Sequence, residues 1–195
     1  MSLLDRGGSA GTRRIHRPTY QGLTNERLLI ATGRPEAGRE LSEAALASAV
    51  EHGDRRLIIT AILRLAAVLA AVNCVDRARH EAERARLLAL EQHDLHGYVD
   101  ALLIMAQLPG EPLQALSRAR TAERAAAQVG LLLREAKAQL VRAELSAAAL
   151  DPTSARSAAA QAWPVLRRSG AKPWITRCIA VVRCAPAPAP VAVRG

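Results

Sequence analysis

The sequence predicts an all-α protein, an α-solenoid of about four helix-turn-helix units with a short C-terminal capping helix. Three observations carry this. The first is composition: about a fifth of the 195 residues are alanine, phenylalanine is absent and aromatics are only 2%. Alanine is the best helix former, with leucine and arginine close behind. The second is punctuation. Helical runs close at Glu51-His52-Gly53-Asp54, Glu91-Gln92-His93-Asp94, Gln128-Val129-Gly130 and Arg168-Ser169-Gly170, so that 53, 93, 130 and 170 stand 40, 37 and 40 apart. A second series, Gly33-Arg34-Pro35, Cys74-Val75-Asp76, Leu108-Pro109-Gly110 and Leu150-Asp151-Pro152, falls midway in each period. Repetition at 20 to 50 residues marks a stacked array. The third is that neither strand alternation nor an Asn-Gly hairpin occurs.

The elements are taken in chain order. Residues 1–19 carry Gly, Arg, Ser and Pro without an apolar period and are expected to form a disordered arm before a helical repeat domain over 20–182. Thr24 or Asn25 can cap a helix that Gly33 stops, and Pro35 starts the next at the position where its missing N–H costs nothing. That helix ends at Gly53, and Asp54 caps another over about 55–72. Asp76 is expected to cap a helix whose Ala78, Ala82, Ala85 and Leu88-Ala89 form one stripe, opposite a face laced with Glu81, Glu83, Arg84 and Arg86. Asp94 or His96 opens the next, with Tyr98, Leu102, Leu103 and Met105. Pro112 begins a helix to Val129 with Leu113, Leu116, Ala119, Ala122 and Ala126, and Leu131–Leu150 forms another. Asp151 and Pro152 supply a cap and a first-turn proline together for a helix over 152–169, which Pro164 should bend or interrupt near Gln161. A short helix from Pro173 to about Val182 would cap the stack, and residues 183–195 read as an Ala/Pro-rich disordered tail.

The formal charge is +9, and it is unevenly placed. From Pro152 to Gly195 there is no carboxylate, yet Arg156, Arg167, Arg168, Lys172, Arg177, Arg183 and Arg194 are present. Arg13, Arg14 and Arg17 make the N-terminal arm basic as well. Such ends favour an acidic protein or nucleic acid through charge neutralisation. No aromatics interleave the arginines, which argues against a single-strand stacking platform. Cys74, Cys178 and Cys184 form neither a CxxC pair nor a disulfide framework, so reduced cytoplasmic thiols are expected. The start lacks a signal-peptide layout. The apolar run Leu57–Val72 carries Arg64 near its centre, and a spanning helix needs about 20 residues. It reads as the most buried helix of the array, with no membrane contact.

The stretch from Ala44-Ala45-Leu46 through His93-Asp94 resembles the degenerate tetratricopeptide-like repeats of bacterial regulators, in particular the repeat region of large ATP-dependent LuxR-type (MalT-like) activators. Arg168-Ser169-Gly170-Ala171-Lys172-Pro173-Trp174 is similar to the phrase that closes their arrays. The likeness covers about residues 22–182 and rests on alanine and turn positions. It implies a regulatory, transcription-related binding module. The family's phosphate loop, GxxxxGK[ST], does not occur, and the segment after Trp174 is shorter than its DNA-binding helix-turn-helix. The resemblance therefore implies the repeat part alone.

Candidate chemistry is sparse. His93-Asp94 with His96 could suggest a metal-dependent phosphohydrolase pair, but it occupies the same turn as Gly53-Asp54, where the aspartate is an N-cap. No GxSxG elbow occurs, and a buried role is expected for the cysteines. The expectation is a non-catalytic chain with no metal and no cofactor. Its function would be that of a protein-interaction scaffold holding a protein segment in a groove inside the superhelix. Arg77, Arg84, Arg118, Arg124 and Arg156 on paired helices, with Trp163 and Trp174, are the candidate partner-binding residues. The two tryptophans flank Gly170 and serve either as interface anchors or, as such residues more often do, as a cover for the open end of the stack. Two alternatives from other classes stand beside this: a sensor for a small effector, and nucleic-acid binding through the basic C-terminal third.

Overall fold

The turns between helices set the geometry of this protein. The computed structural model describes residue 29 and residues 32–184, and the N-terminal arm, most of the first helix and the tail from 185 lie outside the described residues. Eight helices are described: α1 (Pro35–His52), α2 (Arg55–Ala71), α3 (Val75–Glu91), α4 (Leu95–Gln107), α5 (Pro112–Gln128), α6 (Leu132–Ala148), α7 (Pro152–Ser169) and α8 (Lys172–Cys184). Residues with positive φ punctuate them at Gly33, Gly53, Asn73, His93, Gly130, Leu150 and Gly170. From 33 to 93 and from 130 to 170 these fall 20 residues apart. At Asn73, His93, Gly130 and Leu150 the left-handed residue donates its N–H three residues back and its successor donates five back, as in Asn73 to Ala70 (3.1 Å) and Cys74 to Leu69 (2.8 Å). This satisfies two of the carbonyls that a helix end leaves open and reverses the chain in three residues.

One turn breaks the series. Pro109 disfavours helical backbone at the residue before it, and Leu108 is extended (φ −76, ψ 144). No left-handed turn forms, α4 stops after 13 residues, and the interval from 93 to 130 shortens to 37. Arg79 Nη2 on α3 donates to the Pro109 carbonyl at 2.7 Å and holds this irregular turn.

The caps agree with expectation at three helices and differ at one. Asp54, Asp94 and Asp151 each cap, accepting from the N–H groups of Arg56 and Leu57, of Gly97, and of Ser154. Asp76 does not cap: the left-handed Asn73 moves the start of α3 forward, Cys74 becomes the N-cap, and Asp76 falls in the first turn. Pro164 does not interrupt α7, which runs on to Ser169. Both Pro164 and Ala160, whose carbonyl loses its helical donor, face solvent, so water can satisfy that group. The last helix runs two residues past Val182, to Cys184.

Each helix packs on the next, giving a solenoid-like all-helical architecture. Among the described residues, the backbones of helices two apart come close only in the even series, α2 to α4, α4 to α6 and α6 to α8. The two series also differ in side-chain size. The odd helices bury small residues in register: Ala78, Ala82, Ala85 and Ala89 on α3 recur 37 residues on as Ala115, Ala119, Ala122 and Ala126. A further 40 on, α7 continues with Ala155, Ala159, Ala162 and finally Leu166. The even helices bury the bulk: Ile59, Ile62, Leu65 and Leu69 on α2, Val99, Leu102, Leu103 and Met105 on α4, Leu140 and Val141 on α6. The core is therefore a seam running along the array, and α2 buries more residues than any other described helix, Arg64 among them. No helix among the described residues is long and apolar enough to cross a membrane.

Two substitutions test these constraints. A Cβ on Gly97 would stand 2.7 Å from Ile59 Cγ2, which is buried on α2, and 2.8 Å from the capping carboxylate of Asp94. Gly97→Ala should destabilise by about 1 to 3 kcal/mol through overpacking, read by urea denaturation. Leu150 sits at φ 59 with its side chain 89% exposed, so it bears left-handed strain without packing in return. Leu150→Gly should raise stability by about 1 kcal/mol in the same measurement.

Candidate functional site

The seven candidate residues do not gather into one site. Arg77 on α3 pairs with Glu43 on α1 at 3.1 Å, and Arg84 pairs with Glu81 one turn away at 3.3 Å. Arg118 on α5 bonds Gln114 and lies close enough to Glu83 on α3 to lower its pKa. Trp174 at the start of α8 is half-buried against the core of α4–α6, with the Arg177 guanidinium 4.5 Å and the Lys137 ammonium 5.2 Å from its ring centre. Arg77, Arg84, Arg118 and Trp174 are thus engaged by the array itself. The remaining three, Arg124, Arg156 and Trp163, line openings.

The even layer is closed by ion pairs that step along the array. Arg134 on α6 binds Asp100 on α4 through two bonds, at 3.0 and 2.8 Å. Arg177 on α8 binds Glu144 on α6 the same way and also donates to Gln107 on α4 at 2.9 Å. Forked arginine–carboxylate contacts of this kind fix orientation as well as distance. An acid followed by arginine 34 residues on (43 to 77, 100 to 134) or 33 on (144 to 177) is a signal the sequence carries in plain view.

The odd layer is where the surface opens, because the backbones of its helices do not approach one another as those of the even helices do. A cleft of about 640 Å³ lies over α5, α6 and α7, lined by Leu113, Leu116, Arg120, Arg124, Arg142 and Gln161 among others. Arg142 on α6 crosses its floor, with Nε 2.9 Å from Glu123 on α5 and Nη2 2.9 Å from Gln161 on α7. Arg120 and Arg124, one turn apart on α5, are exposed and make no ion pair with any described residue. Leu113 beside them is 75% exposed. The cleft thus offers two uncommitted guanidinium groups next to apolar surface.

A second groove, of about 550 Å³, lies between α7 and α8. Its walls are Ala159, Ala160 and Trp163 on one side and Cys178, Ile179 and Val182 on the other, with Arg156 and Arg183 at the rim. The Cys178 thiol is buried, donates to the Ala159 carbonyl at 3.5 Å, and has its pKa pushed up by burial first and by Glu144 second. It is a packed thiol, not an activated one. Asp94 accepts from Gly97 N–H as an N-cap, and His93 is the left-handed residue of its turn, so that pair has a structural role. Among the described residues, no three or more His, Cys, Asp or Glu side chains are grouped to hold a metal ion.

Sequence reasoning missed Arg120, Arg142 and Gln161 in the first cleft, and Ile179, Val182 and Arg183 in the second. They reach their sites from different helices, and only the packing of α5 to α8 brings them together. No family model matches this chain, and no curated protein matches it.

The electrostatics yield a pH prediction. Glu83 is held below the usual carboxylate range, first by its hydrogen bonds to Arg86 at 2.8 and 2.6 Å, with Arg86 and Arg118 charges adding to it. A depressed folded-state pKa contributes stability above the unfolded value and loses it as pH falls through the folded one. Glu83→Gln should therefore flatten part of the acid limb of the stability profile. At pH 7 it should cost no more than about 1 kcal/mol, because the pair is partly exposed. Thermal melts between pH 3 and 7 check both.

Proposed function

We propose that this chain is a non-catalytic interaction scaffold, a tetratricopeptide-like α-solenoid of about four units with α8 as its cap. It would act in bacterial gene regulation or signalling by binding an acidic protein segment. The observation that carries this reading is the cleft over α5–α7. Two of its arginines, Arg120 and Arg124, make no ion pair with any described residue, and they stand one turn apart next to exposed Leu113 and half-buried Leu116. Elsewhere in the array six arginines are engaged: Arg77, Arg79, Arg86, Arg134, Arg142 and Arg177 all bind carboxylates. Two that are not, set beside apolar surface, fit a segment that brings carboxylates and a few apolar side chains.

The basic C-terminal third keeps nucleic acid as a second reading. Arg167, Arg168 and Lys172 crowd the α7–α8 turn, and no carboxylate side chain occurs beyond Asp151. The two readings respond differently to the same changes. In affinity capture from the native cell extract followed by titration, Arg120→Glu combined with Arg124→Glu should weaken the captured protein partner by about tenfold or more while leaving the helical circular-dichroism spectrum intact. A chain that instead retains DNA or RNA, with affinity falling steeply with salt and unaffected by that double substitution, would favour the nucleic-acid reading.

A further inference from the structure

The stacked units can be compared position by position, and the last groove departs from its predecessors. Over α3 and α4 the outer surface holds the Glu83–Arg86 ion pair, with Arg118 of the next odd helix nearby. Over α5 and α6 it holds the Glu123–Arg142 pair, with Gln161 of the next odd helix bonded to it. Forty residues on from the second set, Glu123 becomes Trp163, Gln139 becomes Ile179, Arg142 becomes Val182 and Arg120 becomes Ala160. The polar network on the floor of the preceding cleft is replaced by apolar walls, and Val182 is left 49% exposed.

The stacking face of α8 changes the opposite way. Ala136, Leu140 and Ala143, which α6 buries beneath α7, correspond to Thr176, Ala180 and Arg183, all exposed on α8. The face that would receive another unit is small and polar, as a terminal cap requires. The apolar groove beside it is not the remnant of an interrupted stack. We infer that the α7–α8 groove receives an amphipathic α-helix of a partner protein, its apolar face on Trp163, Ile179 and Val182 and its carboxylates on the arginine rim.

Charge selects this occupant. The rim carries Arg156 and Arg183, and Arg183 is exposed without an ion pair to any described residue. No carboxylate side chain lies anywhere from Pro152 onward. The chain's own residues 185–195 bring Arg194 and no acidic side chain, and a second copy docked groove to groove would set the same arginines against each other. A helix with glutamates flanking an apolar stripe meets both demands, in the helix-in-groove manner. The inference rests on the scaffold reading but places a different partner element on a different surface.

The test is a displayed library of helical peptides, with acidic, basic and neutral flanks, selected against the whole chain. Enriched peptides should show apolar residues at i, i+3 or i+4 and i+7 with flanking Glu or Asp. Their affinity should fall at least tenfold on Arg183→Glu and recover when the peptide's glutamates become lysines. Enrichment without carboxylates, indifference to Arg183→Glu, or no enrichment would overturn the inference. So would displacement of the selected peptides by a synthetic 185–195 peptide at similar affinity, or self-association of the chain that Val182→Asp abolishes. A natural partner lost on the Arg120/Arg124 double substitution but not on Arg183→Glu would leave the scaffold reading standing and this one refuted.

Discussion

Contact between alanine methyl groups on odd helices and bulky aliphatic side chains on even helices is the constraint on which the rest depends. An alanine stripe at i, i+4, i+7 and i+11 lets a neighbouring helix approach closely at almost no cost in side-chain entropy. Isoleucine, leucine and valine from the even helices then fill the space between. Because α3, α5 and α7 repeat the stripe in register, each neighbouring helix finds the same seat, and the array propagates. Gly97 is the tightest point of that seam, since even an alanine there would enter the Ile59 side chain.

Division of labour between the two layers is the consequence. Even helices touch one another and are latched by forked ion pairs such as Arg134 with Asp100. Odd helices, held apart by the bulk beneath them, leave clefts in which some lining residues, such as Arg120, Arg124 and Val182, are exposed. There Glu123 of one unit corresponds to Trp163 of the next without loss of the fold. The arginine-rich cleft and the apolar α7–α8 groove are two different surfaces built in this way on one repeating backbone.

The turns show how little chemistry a repeat needs. A left-handed residue closes the helix, and the type of residue there is secondary: glycine at 53, 130 and 170, but asparagine at 73, histidine at 93 and leucine at 150. The non-glycine residues bear strain of the order of 1 kcal/mol each. The helices on both sides are anchored by packing, which is why the turn tolerates them. Pro109 is the exception that rules out the left-handed turn and shortens α4.

Helix content, the near-40-residue period and the alanine stripes were all legible in the sequence, because they rest on local propensity and on spacing along one chain. Asp54, Asp94 and Asp151 were legible as caps for the same reason. Asn73 was not legible beside the better capping residue Asp76, because a left-handed asparagine between two good helices is selected by how those helices pack, not by local preference. Pro164 reads as a breaker until its lost hydrogen bond is found to face water. The clefts were not legible at all. Arg120, Arg142 and Gln161 meet from three helices, as do the members of each ion-pair latch from two or three. Sequence by itself determined that helices would form, where they would stop and that they would repeat. Only the tertiary structure decided which arginines are spent on holding helices together and which make no ion pair with any described residue, because that depends on distances across helices that only the packing fixes.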